Sequence, residues 1–340
     1  MKRDTPDVSK NQSSCVVVGA GISGLLAAKT LNENGWTVTV LDKSRVVGGR
    51  MATRRVGRGN FDHGAQFFTV RGERFAGLVE DWLGAGVAAE WTCGFADSEG
   101  RPNEDGYPRY RGDEGMISIP KYISRGLDVR TGEGVVRVDD IEDGWEIVCE
   151  SGSRVAGDAL VLTAPVPQAL DLASSGSYSL PDGARRHLEA VSYDPCLALM
   201  VLLDGSTSVP EPGGMQIKGE PLDWISDNRR KGISEAPAVT VHAGPEWSRS
   251  HFEDDEMEIT ESMISRAGDY LGTDLAPAVV ETSLARWRYS WVTNPHPEPC
   301  LVASDDPPLV FCGDAFGQPK VEGAALSGLA AADRLLGRSA

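Results

Sequence analysis

No stretch of this chain approaches the run of about 20 apolar residues that a bilayer crossing needs, so no membrane association is expected. The opening residues, Met1 to Ser14, are polar and lack the apolar centre of a secretion signal. A loose tail (residues 1–13) and a cytoplasmic location are therefore expected. The 6 cysteines (Cys15, Cys93, Cys149, Cys196, Cys300 and Cys312) show neither CxxC nor metal-type spacing. That excludes a disulfide framework and a zinc site, and no metal is expected. Basic residues are in deficit: 33 Lys and Arg against 50 Asp and Glu give a net charge of −17. The balance argues against a nucleic-acid partner or an anionic membrane surface. It also means that an anionic substrate needs a locally basic pocket. Internal repeats and low-complexity blocks are absent. No Ser-His-Asp, HExxH or Cys-His arrangement competes for the chemistry.

What is present starts with the run Val16-Val17-Val18-Gly19-Ala20-Gly21-Ile22-Ser23-Gly24. An apolar β-branched strand precedes the glycines and a helix-forming stretch, Leu25 to Asn34, follows. Gly35 breaks that helix, and a second strand, Thr37 to Leu41, ends in Asp42 with Lys43 beside it. This order is a βαβ unit that holds a dinucleotide. Gly19 makes the tight turn, Gly21 lets the backbone approach a pyrophosphate, and Gly24 lets helix and strand pack closely. The start of the helix offers N–H groups and a positive dipole end to the phosphates. Asp42 is expected to accept from a ribose hydroxyl.

The 340 residues suffice for one large or two medium domains around a sizeable core. Further strands are expected at Val135 to Asp139, Trp145 to Cys149, Ala159 to Thr163, Cys196 to Leu203, Ala238 to His242 and Leu309 to Cys312. Helices are expected at Arg74 to Leu83, Asp254 to Leu271 and Ala324 to Leu336. The acids Glu253 to Glu256 read as a capped helix entrance rather than a metal site. Loops rich in Gly and Pro separate these elements, so the class is α/β. The loops Ser174 to Gly183 and Gly205 to Gly214 bracket a middle region of different character. The fold expected is a Rossmann-like dinucleotide domain (residues 14–75, 126–172 and 282–338) wrapping an inserted mixed-sheet substrate domain (76–125 and 173–281).

A second signature, Gly48-Gly49-Arg50-Met51-Ala52-Thr53-Arg54, lets the backbone run beneath a cofactor while Arg50 reaches its phosphates. The motif Asp62-His63-Gly64-Ala65-Gln66-Phe67-Phe68 follows. Near the end, Gly313-Asp314 follows a buried strand, and Val321-Glu322-Gly323-Ala324 opens the last helix. Asp314 is placed to bond a ribityl or pyrophosphate link. The helix start suits negative charge on a reduced flavin. The glycine fingerprint occurs once, so a second nicotinamide-binding domain is not expected.

These segments together resemble the flavin amine-oxidase superfamily. Within it, DHGAQFFTVR, WISDNRR, VHAGPEWSR and ARWRY are similar to renalase-like flavoproteins, and the resemblance runs from Cys15 to Leu336. It implies an amine-oxidase-like fold and noncovalent FAD. The FAD contacts it implies are Gly19, Gly21, Ile22, Ser23, Gly24, Asp42, Lys43, Gly49, Arg50, Met51, Gly64, Ala65, Gln66, Val136, Gly313, Asp314, Val321, Glu322, Gly323 and Ala324. The reaction it implies is hydride removal from 2- or 6-dihydro isomers of NAD(P), returning β-NAD(P)+ with O2 reduced to hydrogen peroxide. Amine or polyamine oxidation, or a flavin-bearing module without turnover, are the alternatives. Asp42 stands where many members of the superfamily carry Glu, and Arg288 sits between Trp287 and Tyr289.

Four residues are expected to do the chemistry or wall it: Gln66, His242, Trp287 and Tyr289. Asn228 and Arg229 are expected to meet a carboxamide and a phosphate, or else to form a solvated turn. His242 ends a strand before Gly244 and Pro245, where a side chain meets a pocket. Trp287 and Tyr289 alternate with Arg286 and Arg288, as on a two-faced strand.

Overall fold

The computed structural model describes residues 12–338. All but two residues of the expected tail lie outside it. The first sheet has six strands in the order Leu301–Asp305, Pro308–Phe311, Ala159–Leu162, Ser14–Val18, Thr37–Asp42 and Asp128–Thr131. All neighbours run parallel except the first pair. Its central strands are buried on both faces, which is why they read as unbroken apolar runs. Alternation still sorts the side chains: Cys15 and Val17 enter one core, Val16 and Val18 the other.

On the first face lie the helices Ile22–Glu33 and Lys320–Leu335. They cross backbone to backbone: a Cβ on Gly328 would sit 2.1 Å from the carbonyl oxygen of Ser23. On the second face a three-stranded sheet (Val135–Ile141, Gly144–Cys149, Arg154–Gly157) and the helices Val166–Ala173 and Asp182–Glu189 enclose Trp145, Leu162 and Phe316.

A second large sheet has seven strands in the order Val279–Asn294, Ser192–Leu203, Ala238–Ala243, Leu222–Asp227, Gly214–Gln216, Ala88–Ala96 and Pro102–Gly112. Leu197, Leu199 and Val201 point into a core shared with the helix Glu256–Leu271. Ala198, Met200 and Leu202 point the other way, toward Val56 and Phe61. The Glu256–Leu271 helix is capped as its acids suggested, with the Asp255 carboxylate accepting from the Met257 N–H at 2.8 Å. It closes on Gly272 at φ +64°.

The domain boundaries differ from expectation. The strand Val279–Asn294 belongs to the seven-stranded sheet, so position 282 falls inside it. The helices Glu73–Gly84 and Ser118–Ile123 bury Phe75, Trp82 and Ile119 in the core of the six-stranded sheet. The final helix begins at Lys320, four residues before Ala324. The strands Ala88–Ala96 and Pro102–Gly112 went unread because the second is a polar sheet edge, where proline and glycine are tolerated.

Candidate active site

The three fingerprint glycines divide their work. A Cβ on Gly19, which has φ +113°, would meet Thr163 Oγ1 at 2.2 Å, and one on Gly24 would meet the carbonyl oxygen of Gly19 at 2.0 Å. Both serve the protein's own packing. At Gly21 a Cβ would meet nothing within 4 Å among the described residues, so that position faces open space. Gly21 is the N-cap of the helix Ile22–Glu33, and no side chain caps it. The N–H groups of the first turn therefore have no intrahelical partner. Asp42 braces this turn, its carboxylate accepting from the N–H groups of Ala20 at 2.6 Å and Ser44 at 2.7 Å. The Gly48 N–H donates to the Ala20 carbonyl at 2.8 Å, bringing the second glycine segment alongside. Gly49, at φ +53°, lies with its Cβ position 3.6 Å from the Gly21 Cα. The result is a cradle of bare backbone in front of a helix N-terminus.

The wall opposite comes from the seven-stranded sheet. Trp224 pairs across strands with His242, His242 with Ala198, and Ala198 with Ala285, so these four share one face. Trp287, two residues beyond Ala285, continues that face. Its ring stacks on His63 with centroids 5.2 Å apart and planes 11° from parallel, and its Nε1 donates to the His63 carbonyl at 2.8 Å. His242 Nε2 lies 3.4 Å from Gln66 Nε2. Phe67, Phe95, Trp91 and Trp224 form an aromatic cluster beside it, with ring separations from 4.8 Å.

Residues 71–336 match the flavin containing amine oxidoreductase family. The chain belongs to that family. Residues 17–82 also match the NAD(P)-binding Rossmann-like domain. The chain is similar to renalase of Mus musculus, 26% identical over 336 residues that cover 93% of this chain and 97% of that protein. It is 53% identical to an L-amino-acid oxidase of Echis ocellatus over 47 residues, 14% of this chain and 9% of that protein. Its fold is that of putrescine oxidase solved with putrescine, with a TM-score of 0.72 at 16% identity, covering 96% of this chain and 99% of that one. The protein is thus an FAD-binding, renalase-like oxidoreductase of the amine-oxidase fold. Its residues fit that cofactor, because Gly21 leaves room in front of the free helix N–H groups. Among the described residues no helix is long and apolar enough to cross a membrane.

Two of the expected cofactor contacts, Arg50 and Asp314, engage each other. Arg50, expected on the phosphates, makes a bidentate pair with Asp314 at 2.6 and 2.7 Å and donates to the Tyr289 carbonyl at 3.1 Å. Asp314, expected on the ribityl or pyrophosphate link, is committed to that pair. Together they tie the Gly48–Met51 turn to the segment after Phe311. The Glu322 carboxylate accepts from the Arg71 and Gly72 N–H groups, at 2.7 Å for Gly72, so it braces a loop. Gly323 is dictated by the Gln318 carbonyl, which a Cβ would strike at 1.5 Å, and Gly64 by the Arg50 carbonyl at 2.1 Å. Lys43 is exposed and reaches Gln168 at 3.5 Å. Val136 stands at a bulge in its strand and is exposed.

Asn228 is buried with its amide spent inside, donating to the Ala238 carbonyl at 3.1 Å and Thr240 Oγ1 at 2.9 Å. It is fully buried and holds a turn. Arg229 is exposed at the closed end of the same hairpin, whereas His242 lies near its open end. Gln66 faces His242, yet it also donates to the Asp62 carbonyl at 2.6 Å and accepts from Ser226 Oγ at 2.9 Å. Tyr289 packs its ring edge-on to Tyr193, 5.5 Å away. Sequence reasoning missed Trp224, Phe95 and Lys231, and left His63 outside the site. Only the proximity of His63 to the Gly64-Ala65-Gln66 motif signalled it.

Burial drives the His63 pKa down to about 4, with Arg54 adding to the effect. Burial likewise drives His242 down to about 4, with His63 as the next cause. Both imidazoles are therefore neutral at pH 7, and both are poor bases there. An unfolded chain takes up these protons near pH 6.5, which the folded chain refuses until about 4. Stability is expected to fall as pH drops from about 6.5 toward 4, because the unfolded state binds more protons across that window. Denaturant unfolding as a function of pH measures this. A flat profile through the window contradicts the assignment.

Proposed function

We propose that this FAD-dependent oxidoreductase removes hydride from the 2- and 6-dihydro isomers of NAD(P), returning β-NAD(P)+ and hydrogen peroxide from O2. The observation that carries the reading is the neutral, flat wall formed by His63 stacked on Trp287 with His242 nearby. Loss of hydride from a dihydropyridine yields an aromatic cation, so no general base is needed. The wall has only to orient a flat ring. Amine oxidation asks for more, since the amine must lose its proton before it reacts. Likeness to renalase along nearly the whole chain supports the same choice.

FAD, when bound, supplies the hydride acceptor and passes the electrons to O2. The chain's own residues bind and orient. Gly21 and the N–H groups of Ile22, Ser23 and Gly24 would hold the pyrophosphate, and the remaining lone pairs of Asp42 the ribose. Val136, unpaired at its bulge, would offer backbone N–H and C=O to the adenine, with Lys43 flanking. Gly49, Met51, Gly64 and Ala65 would line the underside, and Gly313, Val321 and Ala324 the helix end that favours negative charge. Trp287 and Tyr289 would wall the nicotinamide, while His242 and Gln66 offer neutral hydrogen-bonding groups to its carboxamide.

The test is peroxide release in air. The purified holoenzyme should produce it with 6-dihydro-NAD(P) and remain idle with putrescine and other amines. Turnover of amines with no response to the dihydro isomers would refute the reading.

A further inference from the structure

We propose that Lys231 is a positioning residue of this site, its ammonium locking the Asp62–Gln66 loop, and thereby His63 and Gln66, against the substrate wall. The inference rests on the functional reading above and adds a residue to it. Lys231 lies in the connection between the strands Leu222–Asp227 and Ala238–Ala243, where a lysine ordinarily reaches solvent. Here its side chain is 0% exposed. Nζ donates to Asp62 Oδ2 at 2.6 Å and to the Gln66 backbone carbonyl at 2.5 Å, and lies 4.9 Å from the centre of the Trp91 ring. The second Asp62 oxygen accepts from Thr53 Oγ1 at 2.5 Å and the Met116 N–H at 2.9 Å.

One ammonium therefore grips both ends of the loop. Between those ends sit His63, stacked on Trp287, and Ala65, whose N–H donates to the Arg50 carbonyl at 2.8 Å. The Gln66 side chain beyond them faces His242. Lys231 comes from a hairpin connection of the seven-stranded sheet, and the loop follows the Gly48–Met51 cradle. The contact thus sets the spacing between the cofactor side and the substrate side.

Stability alone is a poor reason for this arrangement. Burying both charges costs about as much as the pair returns, and apolar or neutral groups of similar size fill the same volume. What the ammonium adds is several directed donors fixed at once on a carboxylate, a carbonyl and a ring face. Burial lowers the Lys231 pKa, Asp62 opposes that shift, and Arg111 is the other charge that bears on it.

The test compares the parent holoenzyme with K231M and the neutral double variant D62N/K231M. K231M alone strands a buried carboxylate, so the double variant is decisive. It should bind FAD and melt within a few degrees of the parent. Its limiting rate of anaerobic flavin reduction should still fall about tenfold or more, with the donor Kd nearly unchanged, because a displaced wall affects the reacting geometry first. Recovery of both stability and rate in the double variant would reduce the pair to charge balance and overturn the proposal. A double variant that does not fold would assign the pair to stability and overturn it equally. 6-Dihydro-NAD and the synthetic donor 1-benzyl-1,4-dihydronicotinamide are run in parallel. A parent reduced only by the synthetic donor would fail the substrate reading and leave the Lys231 comparison intact.

Discussion

Gly21→Val should yield a folded, colourless protein. A Cβ at this position meets nothing among the described residues within 4 Å beyond its chain neighbours, and its φ of −73° suits any residue. The valine would fill the space in front of the free helix N–H groups. Losing one or two charge-assisted hydrogen bonds to a pyrophosphate costs about 3 kcal/mol, so FAD should bind roughly 100-fold or more weakly. The change of cap residue costs about 1 kcal/mol, a Tm drop of about 1–2 °C. Gly24→Ala makes the informative contrast. Its Cβ would lie 2.0 Å from the Gly19 carbonyl oxygen, so the damage falls on the fold itself, by about 1–3 kcal/mol or more. Flavin absorbance and thermal melts of the two variants separate the roles. Normal yellow holoenzyme from Gly21→Val would refute the cradle.

Trp287→Ala should leave FAD bound and slow flavin reduction by about 100-fold, the loss expected when a reacting ring is misplaced by about an ångström. The indole holds His63 in two ways, by its stacked face and by the Nε1 bond to the His63 carbonyl. Removing it takes away part of the wall and frees His63 at the same time. Arg229→Ala, in contrast, should leave the reduction rate unchanged, because that side chain sits in solvent at the closed end of its hairpin. Stopped-flow reduction at saturating donor measures both. An unchanged rate in Trp287→Ala would remove the indole from the substrate wall.

The cradle was legible because local chain geometry dictates it. Gly19, Gly21 and Gly24 follow from the turn, the open approach and the helix contact, each within a few residues of the others. The central strands were legible because burial on both faces leaves an unbroken apolar run. The substrate wall was half legible. His242 and Trp287 stood out by type and strand position, but their neighbour Trp224 comes from another strand, and register is invisible in a single segment. Arg50 and Asp314, 264 residues apart, were read separately as ligand contacts and turn out to bind each other. Asn228 and Lys231 occupy one polar turn in which the sequence gives no sign of which side chains fold inward. Both do, and the arginine between them that looked most functional does not.

An anaerobic reductive titration followed in the visible spectrum puts the account to its most direct test. Yellow holoenzyme should lose its flavin bands in proportion to added 6-dihydro-NAD(P), one equivalent per site, and keep them unchanged in the presence of amines. Protein that carries no flavin, or a bound flavin that bleaches with amines and ignores every dihydronicotinamide isomer, would contradict it.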